Sequence, residues 1–321
     1  FIESGIDKLF FTGSVPVGKK LMKKASEKLL PISLELGGND AMIVLEDADI
    51  YRAAAGALWA GLSNSGQSCA GVERIYVHEK IYTNFVDELK RQGAALRQGP
   101  GTSFDVEIGA MTTVNQLKTV ESHLEDAISK GGIATPLGST EGDISKGQFH
   151  TPYLVENVSD EMIMMQEETF GPLLGIQKFS TYDEAVALAN NSNLGLTASV
   201  WTTDRKKGHA LASRLEAGTV TINDHLMSHG LAETPWGGFK ESGYGRTHGS
   251  VGLEAMTQPR CVVDDILPGV KRNMWWYPHG KKVYDGLKGG LELLYGDSIP
   301  VRFNGAINLV KTFFRTFTEN K

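Results

Sequence analysis

A strand that runs through a glycine turn straight into an amphipathic helix commits a chain to layered α/β packing, and this sequence begins with one. Leu9-Phe10-Phe11-Thr12 reads as a short β run and Gly13-Ser14-Val15-Pro16-Val17-Gly18 as the turn, while Val17, Leu21, Ala25 and Leu29 share one helix face at i, i+4 spacing. The alternation continues. Strands are predicted at residues 32–36 and 41–45, after which Asp49 is placed to cap a helix whose apolar face includes Ile50, Ala53, Ala57 and Leu58. Residues 74–77 read as strand, and Tyr82, Phe85, Val86 and Leu89 as a helix face. A charged helix over 114–130 and a glycine-rich loop through Gly147 follow. Strands at 153–155, 198–202 and 219–223 then alternate with helices at 183–190 and 205–215. This pattern predicts an α/β fold.

Composition sets the class. With 321 residues, 41% hydrophobic and 22% charged, the chain has enough apolar material for two domains and no sign of wholesale disorder. Two cysteines, Cys69 and Cys261, make no disulfide framework, so a reducing compartment and a free Cys69 thiol are expected. No signal-peptide pattern opens the sequence, and the longest apolar stretch, residues 53–62, is far short of the ~20 residues a membrane-spanning helix needs. Cytoplasmic location is the expectation. Residues 267–321 carry nine Lys/Arg against four Asp/Glu, a local +5 that leaves −11 of the overall −6 on residues 1–266. An acidic body excludes nucleic acid as the main partner.

Two stretches single out chemistry. Cys69 lies in Asn64-Ser65-Gly66-Gln67-Ser68-Cys69-Ala70-Gly71, where a tight polar turn presents the thiol, and it reads as a nucleophile rather than a packed hydrophobe. Glu35, in Leu34-Glu35-Leu36-Gly37-Gly38-Asn39, is a lone carboxylate on an apolar strand. The glycines after it allow close approach of another backbone or a ligand, and apolar neighbours would raise its pKa toward that of a general base. The bland alternative is a structural ion pair. Cys261, in Cys261-Val262-Val263, sits in a β-branched strand pattern and is expected to pack.

Other motifs weaken on inspection. Residues 13–19 fit the start of a phosphate-binding P-loop, but Lys20 stands where a magnesium-binding hydroxyl is needed. What survives is a helix N-terminus suited to a phosphate. His225 and His229 are four apart, yet Leu226 occupies the place of a zinc protease's glutamate, so a structural role is expected and no metal site. A Cys-His hydrolase using Cys69 is the less favoured enzyme reading, since it leaves Glu35 without a task.

Together the runs Phe11-Thr12-Gly13-Ser14 with Gly18, Leu34-Glu35-Leu36-Gly37-Gly38, Gly66-Gln67-Ser68-Cys69, Glu167-Glu168-Thr169-Phe170-Gly171-Pro172 and Pro235-Trp236-Gly237-Gly238 through Gly245-Arg246 resemble the aldehyde dehydrogenase superfamily, from about Leu9 to about Gln258. The resemblance implies oxidation of an aldehyde to a carboxylic acid with NAD or NADP. Cys69 would attack the carbonyl and pass through a thiohemiacetal and a thioester, and Glu35 would activate the hydrolytic water. It places Gly13, Ser14, Gly18, Leu36, Glu168 and Phe170 against the cofactor and Trp236 on the substrate tunnel.

The same resemblance divides the chain. Residues 1–38 would be the C-terminal remnant of the Rossmann-like NAD(P)-binding domain, 39–258 a complete α/β catalytic domain, and 259–267 an oligomerisation strand implying a dimer or tetramer. A basic, aromatic tail over 268–321 would follow. A dinucleotide fold needs two βαβαβ halves, and only one strand precedes Gly13, so the chain, which opens on Phe1 rather than Met, is expected to be the C-terminal part of such an enzyme and weak or inactive alone. A catalytically silent structural or binding homologue is the non-enzyme alternative. In the tail, Ala306, Val310, Phe313, Phe314 and Phe317 share a face beside Lys311 and Arg315. This segment either covers a neighbouring subunit or the catalytic domain, or makes peripheral contact with a membrane.

Overall fold

The computed structural model describes residues 2–101, 104–267 and 269–318. Residues 1–258 form one compact unit and residues 259–321 a second.

The first unit is built on a seven-stranded sheet. Its strands are β3 (Asp40–Val44), β4 (Val72–His78), β5 (Ile133–Pro136), β6 (Tyr153–Glu156), β7 (Leu173–Phe179), β8 (Thr197–Trp201) and β9 (Thr219–Ile222), in the order β9-β8-β3-β4-β7-β6-β5. All neighbours are parallel except β5 against β6. The period of two along each strand divides the core. On β3, Met42 and Val44 join one apolar cluster while Ala41 and Ile43 join the other, and on β4 Ile75 and Val77 oppose Tyr76 in the same way. Helices α2 (Ile50–Leu62) and α3 (Tyr82–Gly93) contribute to the first cluster. The second takes residues from α4 (Val114–Ser129), α5 (Tyr182–Asn190) and α6 (Arg205–Ala212).

A smaller sheet carries the N-terminal elements. Strand β1 (Leu9–Thr12) pairs in parallel with β2 (Ile32–Glu35), and β10 (Gly243–Tyr244) adds antiparallel to the far edge of β2. Helix α1 (Val15–Ser26) connects β1 to β2. The line expected after residue 38 therefore runs beside a sheet that residues 243–244 close.

Most elements lie within a residue or two of the sequence-based expectation, and Asp49 caps α2 by accepting the backbone N–H of Arg52. Strand β7 was not expected. One expectation fails near the second unit. Cys261 is exposed rather than packed, because the β-branched residues around it meet no sheet edge in this chain, within which residues 259–267 pair with no strand.

The second unit contains a hairpin of α7 (Lys281–Tyr295) and α8 (Ile299–Phe313). Gly286 faces Thr312 and Gly289 faces Gly305 so closely that a methyl group at any of the three glycines would collide with the opposite helix. Arg315, expected beside Lys311 on the outer face, is instead buried. Its guanidinium donates to the carbonyls of Met274, Trp276 and Pro278 at 2.6, 2.7 and 2.6 Å, which pins the aromatic loop before α7. Pro268 and residues 319–321 of the expected tail lie outside the described residues. No helix among the described residues is long and apolar enough to cross a membrane.

Candidate active site

Cys69 follows α2 through a turn in which Asn64, Ser65 and Gly66 all take positive φ, at 53°, 57° and 72°. Two of the three are not glycine, so the turn stores strain that side chains must hold. They do so in four ways. Asn64 Nδ2 donates to the Gln67 carbonyl at 3.0 Å and Gln67 Nε2 returns a bond to the Asn64 carbonyl at 3.0 Å. Ser65 Oγ donates to the Gly109 carbonyl at 2.8 Å, and Gln67 Oε1 accepts the Thr112 N–H at 2.8 Å. Gly66 is fixed by its surroundings, since a side chain there would strike the Gly171 carbonyl.

The glycine pair after Glu35 makes the next contacts. A methyl group on Gly37 would collide with the Glu168 carboxylate, and one on Gly38 with the Cys69 carbonyl oxygen. The Gly38 N–H donates to Glu168 Oε1 at 2.9 Å. The close approach expected of these glycines is thus made by two partners at once, one backbone and one carboxylate.

Cys69, Glu35, Leu36, Glu168, Phe170, Gly13 and Ser14 line a single cavity of about 580 Å³. Ser14 stands at the N-cap of α1, its side chain makes no capping bond, and α1 has no acidic residue in its first turn. The N–H groups and positive dipole end of that helix therefore remain open to an anion. Gly18 and Trp236 are not in the cavity wall. Gly18 is buried under Leu36, where a Cβ would come within 2.6 Å of Leu36 Cδ2, so it seats α1 against the strand carrying Glu35. Trp236 is buried in the core, and its indole is among the groups that draw the Glu35 carboxyl downward.

The electrostatics are one-signed. Burial pushes the Glu35 carboxyl up to about 7, partly opposed by the Thr247 hydroxyl, the Arg246 guanidinium and the Trp236 indole. Thr247 Oγ1 donates to Glu35 Oε1 at 3.3 Å, while Oε2 is buried without a partner. Glu168 is pushed up to about 7 by burial and by Asp40, against the bond from Gly38. The Cys69 thiol is pushed up to about 11 by burial, then by the charges of Asp40, Glu168 and Glu35. The thiol expected to be presented is half-buried, and the acidic cavity around it favours its protonated form.

Sequence reasoning missed two supports. Glu73, on β4, is fully buried, held well above the usual carboxylate range by burial and by Glu168, and accepts the N–H groups of Thr169 and Phe170 at 2.9 and 2.8 Å. It fixes the turn in which Phe170 takes φ 48°. Asp40 accepts from Thr197 N at 3.0 Å and from the Thr197 hydroxyl, which bonds His225 Nε2 at 3.1 Å; His225 Nδ1 meets Ser199 Oγ at 2.8 Å. His225 is thereby a buried network residue, whereas His229 is exposed. No metal-binding cluster occurs among the described residues. Only the run of charged residues on an apolar strand hinted at Glu73, and nothing local hinted at the network. Gln116 and Thr119, which reach the cavity from α4, also lacked a signal.

The sequence profile of the Aldehyde dehydrogenase family matches residues 2–262. A 4,4'-diapolycopene aldehyde oxidase of Methylomonas is 39% identical over 297 residues, covering 92% of this chain and 54% of its own length. A succinate semialdehyde dehydrogenase of Acinetobacter baylyi is 39% identical over 256 residues, covering 79% of this chain and 52% of its own. Among solved structures, the NAD+ complex of a Bacillus cereus aldehyde dehydrogenase superposes with TM-score 0.74 at 37% identity, over 79% of this chain and 51% of that one. The chain spans about half the length of the curated relatives it matches. On fold, motif order and profile alike, the chain belongs to the aldehyde dehydrogenase family.

Proposed function

We propose that this chain carries the catalytic apparatus for oxidising an aldehyde to a carboxylic acid with NAD or NADP. The observation that carries the reading is the convergence of Cys69, Glu35, Glu168 and the α1 N-terminus on one cavity. The walls suit a nicotinamide cofactor. Ser14 and the first N–H groups of α1 would receive the pyrophosphate, Glu168 would take the ribose hydroxyls and Phe170 would flank the ring. Asp40, Glu168 and Glu35 would stabilise the positive charge of an oxidised nicotinamide. When bound, the cofactor supplies the hydride acceptor.

The residues of this chain do the rest. Glu35, with its carboxyl raised into the range of a general base, accepts the Cys69 proton, and the thiolate adds to the aldehyde carbonyl to give a thiohemiacetal. The Cys69 backbone N–H would donate to the oxyanion. Loss of hydride leaves a thioester on Cys69. Glu35 then releases that proton to solvent, deprotonates a water that cleaves the thioester, and returns the water's proton to the departing Cys69 thiolate, freeing the acid and the thiol.

The smaller sheet holds a single parallel pair, β1 and β2, whereas a dinucleotide fold draws on two βαβαβ halves. We therefore propose that the 321-residue chain assayed alone oxidises aldehydes weakly or not at all. A panel of aldehydes with NAD+ or NADP+ tests this, and robust turnover would overturn it. The nucleophile is tested without cofactor: 4-nitrophenyl acetate should acetylate Cys69 and release nitrophenolate. In a Cys261→Ala background, Cys69→Ala should abolish that release; an unchanged burst removes Cys69 from the mechanism. Relatives differ in the aldehyde in their names, so the family does not select one. Residues 259–267 are exposed and pair with no strand of this chain, which suits strand addition to another subunit, and a dimer or tetramer is the assembly we propose.

A further inference from the structure

Among the described residues, the outer faces of the α7–α8 hairpin have no partner within their own unit. On α7, Tyr284, Leu287, Leu291 and Leu294 recur at i, i+3, i+7 and i+10, and are 66, 47, 62 and 65% exposed. On α8 and the 3-10 turn that follows it (Phe314–Phe317), Phe303, Val310, Phe314 and Phe317 recur at i, i+7, i+11 and i+14, again exposed. Lys282, Lys288, Arg302 and Lys311 lie among these stripes, exposed as well. Before α7, the loop held by Arg315 presents Trp275, Trp276 and Tyr277, 51, 53 and 79% exposed. Beside it an apolar cavity of about 540 Å³ lies among Leu267, Met274, Trp275 and Phe313, with Asp264 and Asp265 also in its wall.

We propose that this unit docks on an anionic phospholipid bilayer, lying in the headgroup plane rather than spanning it. Charge and composition select this occupant. Residues 269–318 carry eight Lys/Arg against three Asp/Glu, so a second copy of the same surface would meet like charge, whereas acidic headgroups meet complementary charge. Exposed Trp and Tyr beside basic residues suit the interface between water and acyl chains. Two amphipathic helices with apolar stripes and no spanning length match the interfacial mode of attachment. The inference does not rest on the catalytic reading.

The test is co-sedimentation of the 321-residue chain with phosphatidylcholine vesicles made with and without phosphatidylglycerol. Binding is expected only with phosphatidylglycerol and should weaken as salt rises. Lys282→Gln with Lys311→Gln should weaken it about 25-fold, at about fivefold per basic residue removed. Phe303→Ser, Val310→Ser and Phe314→Ser together should abolish it, with far-UV circular dichroism unchanged because all three side chains are exposed. Absence of binding, or equal binding to both vesicles, overturns the proposal. So does an apolar-face variant that lowers the chain's assembly mass in size-exclusion chromatography while vesicles capture neither form. That outcome would assign the face to a protein contact.

Discussion

Glu168 Oε1 accepts the backbone N–H of Gly38 at 2.9 Å, on a glycine whose missing side chain is replaced by the carbonyl of Cys69. One residue without a Cβ therefore sets the spacing between the candidate nucleophile and a cavity carboxylate. Gly38→Ala must push the Cys69 turn away. Overpacking of this kind costs about 1–3 kcal/mol, so thermal melts should shift down and Cys69 acetylation by 4-nitrophenyl acetate should fall. An alanine variant with unchanged melting and acetylation would show that the turn moves freely.

The acidic cavity predicts sluggish thiol chemistry. With its thiol pushed up to about 11, Cys69 should react with iodoacetamide at neutral pH more slowly than the exposed Cys261. Glu168→Gln or Asp40→Asn removes a neighbouring negative charge and should speed Cys69 labelling, about tenfold for each unit by which the thiol pKa drops. Peptide mapping by mass spectrometry separates the two cysteines. Faster labelling of Cys69 in the unaltered chain would contradict the electrostatic account.

Glu35 makes stability depend on pH. Its carboxyl lies at about 7 in the fold against 4.5 ordinarily, so the folded state favours the protonated form. That contribution is present below pH 4.5 and is lost as pH rises through 7. Glu35→Gln, which cannot ionise, should raise the melting temperature at pH 8 and change it little at pH 4. Equal shifts at both values would mean that the carboxyl is not titrating in the fold.

Glu73 anchors a turn. Glu73→Ala leaves the N–H groups of Thr169 and Phe170 buried without an acceptor, each at about 1–3 kcal/mol. Denaturant titration should show a loss of several kcal/mol, and Glu73→Gln, which keeps one acceptor, a smaller one. If alanine is tolerated, water has replaced the carboxyl.

Sequence reading reaches what is written locally. Asp49 before an apolar helix face marked the start of α2, and Gly66 with polar neighbours marked a turn that presents Cys69. It fails where partners are distant. Strand β7 reads Leu173-Leu174-Gly175-Ile176-Gln177-Lys178-Phe179, neither alternating nor continuously apolar, so nothing separated it from a connection. The bonds from Asp40 through Thr197 to His225 join residues up to 157 positions apart, beyond any periodicity. Cys261 shows the converse error, in which β-branched neighbours implied a strand but no edge was there to receive it. The charges that raise the Cys69 thiol were likewise hidden, since they come from separate elements.

The pairing of Gly243 with Glu35 has a consequence for biosynthesis. While the chain is being translated, the outer edge of β2 stays unpaired until residue 243 has been made, roughly 10–40 s at about 5–20 residues per second. During that interval Ile32–Glu35 offers an open backbone edge to any nascent neighbour. Closure by a two-residue strand thus comes late, and the segment that bears the candidate general base is among the last parts of the first unit to be sealed.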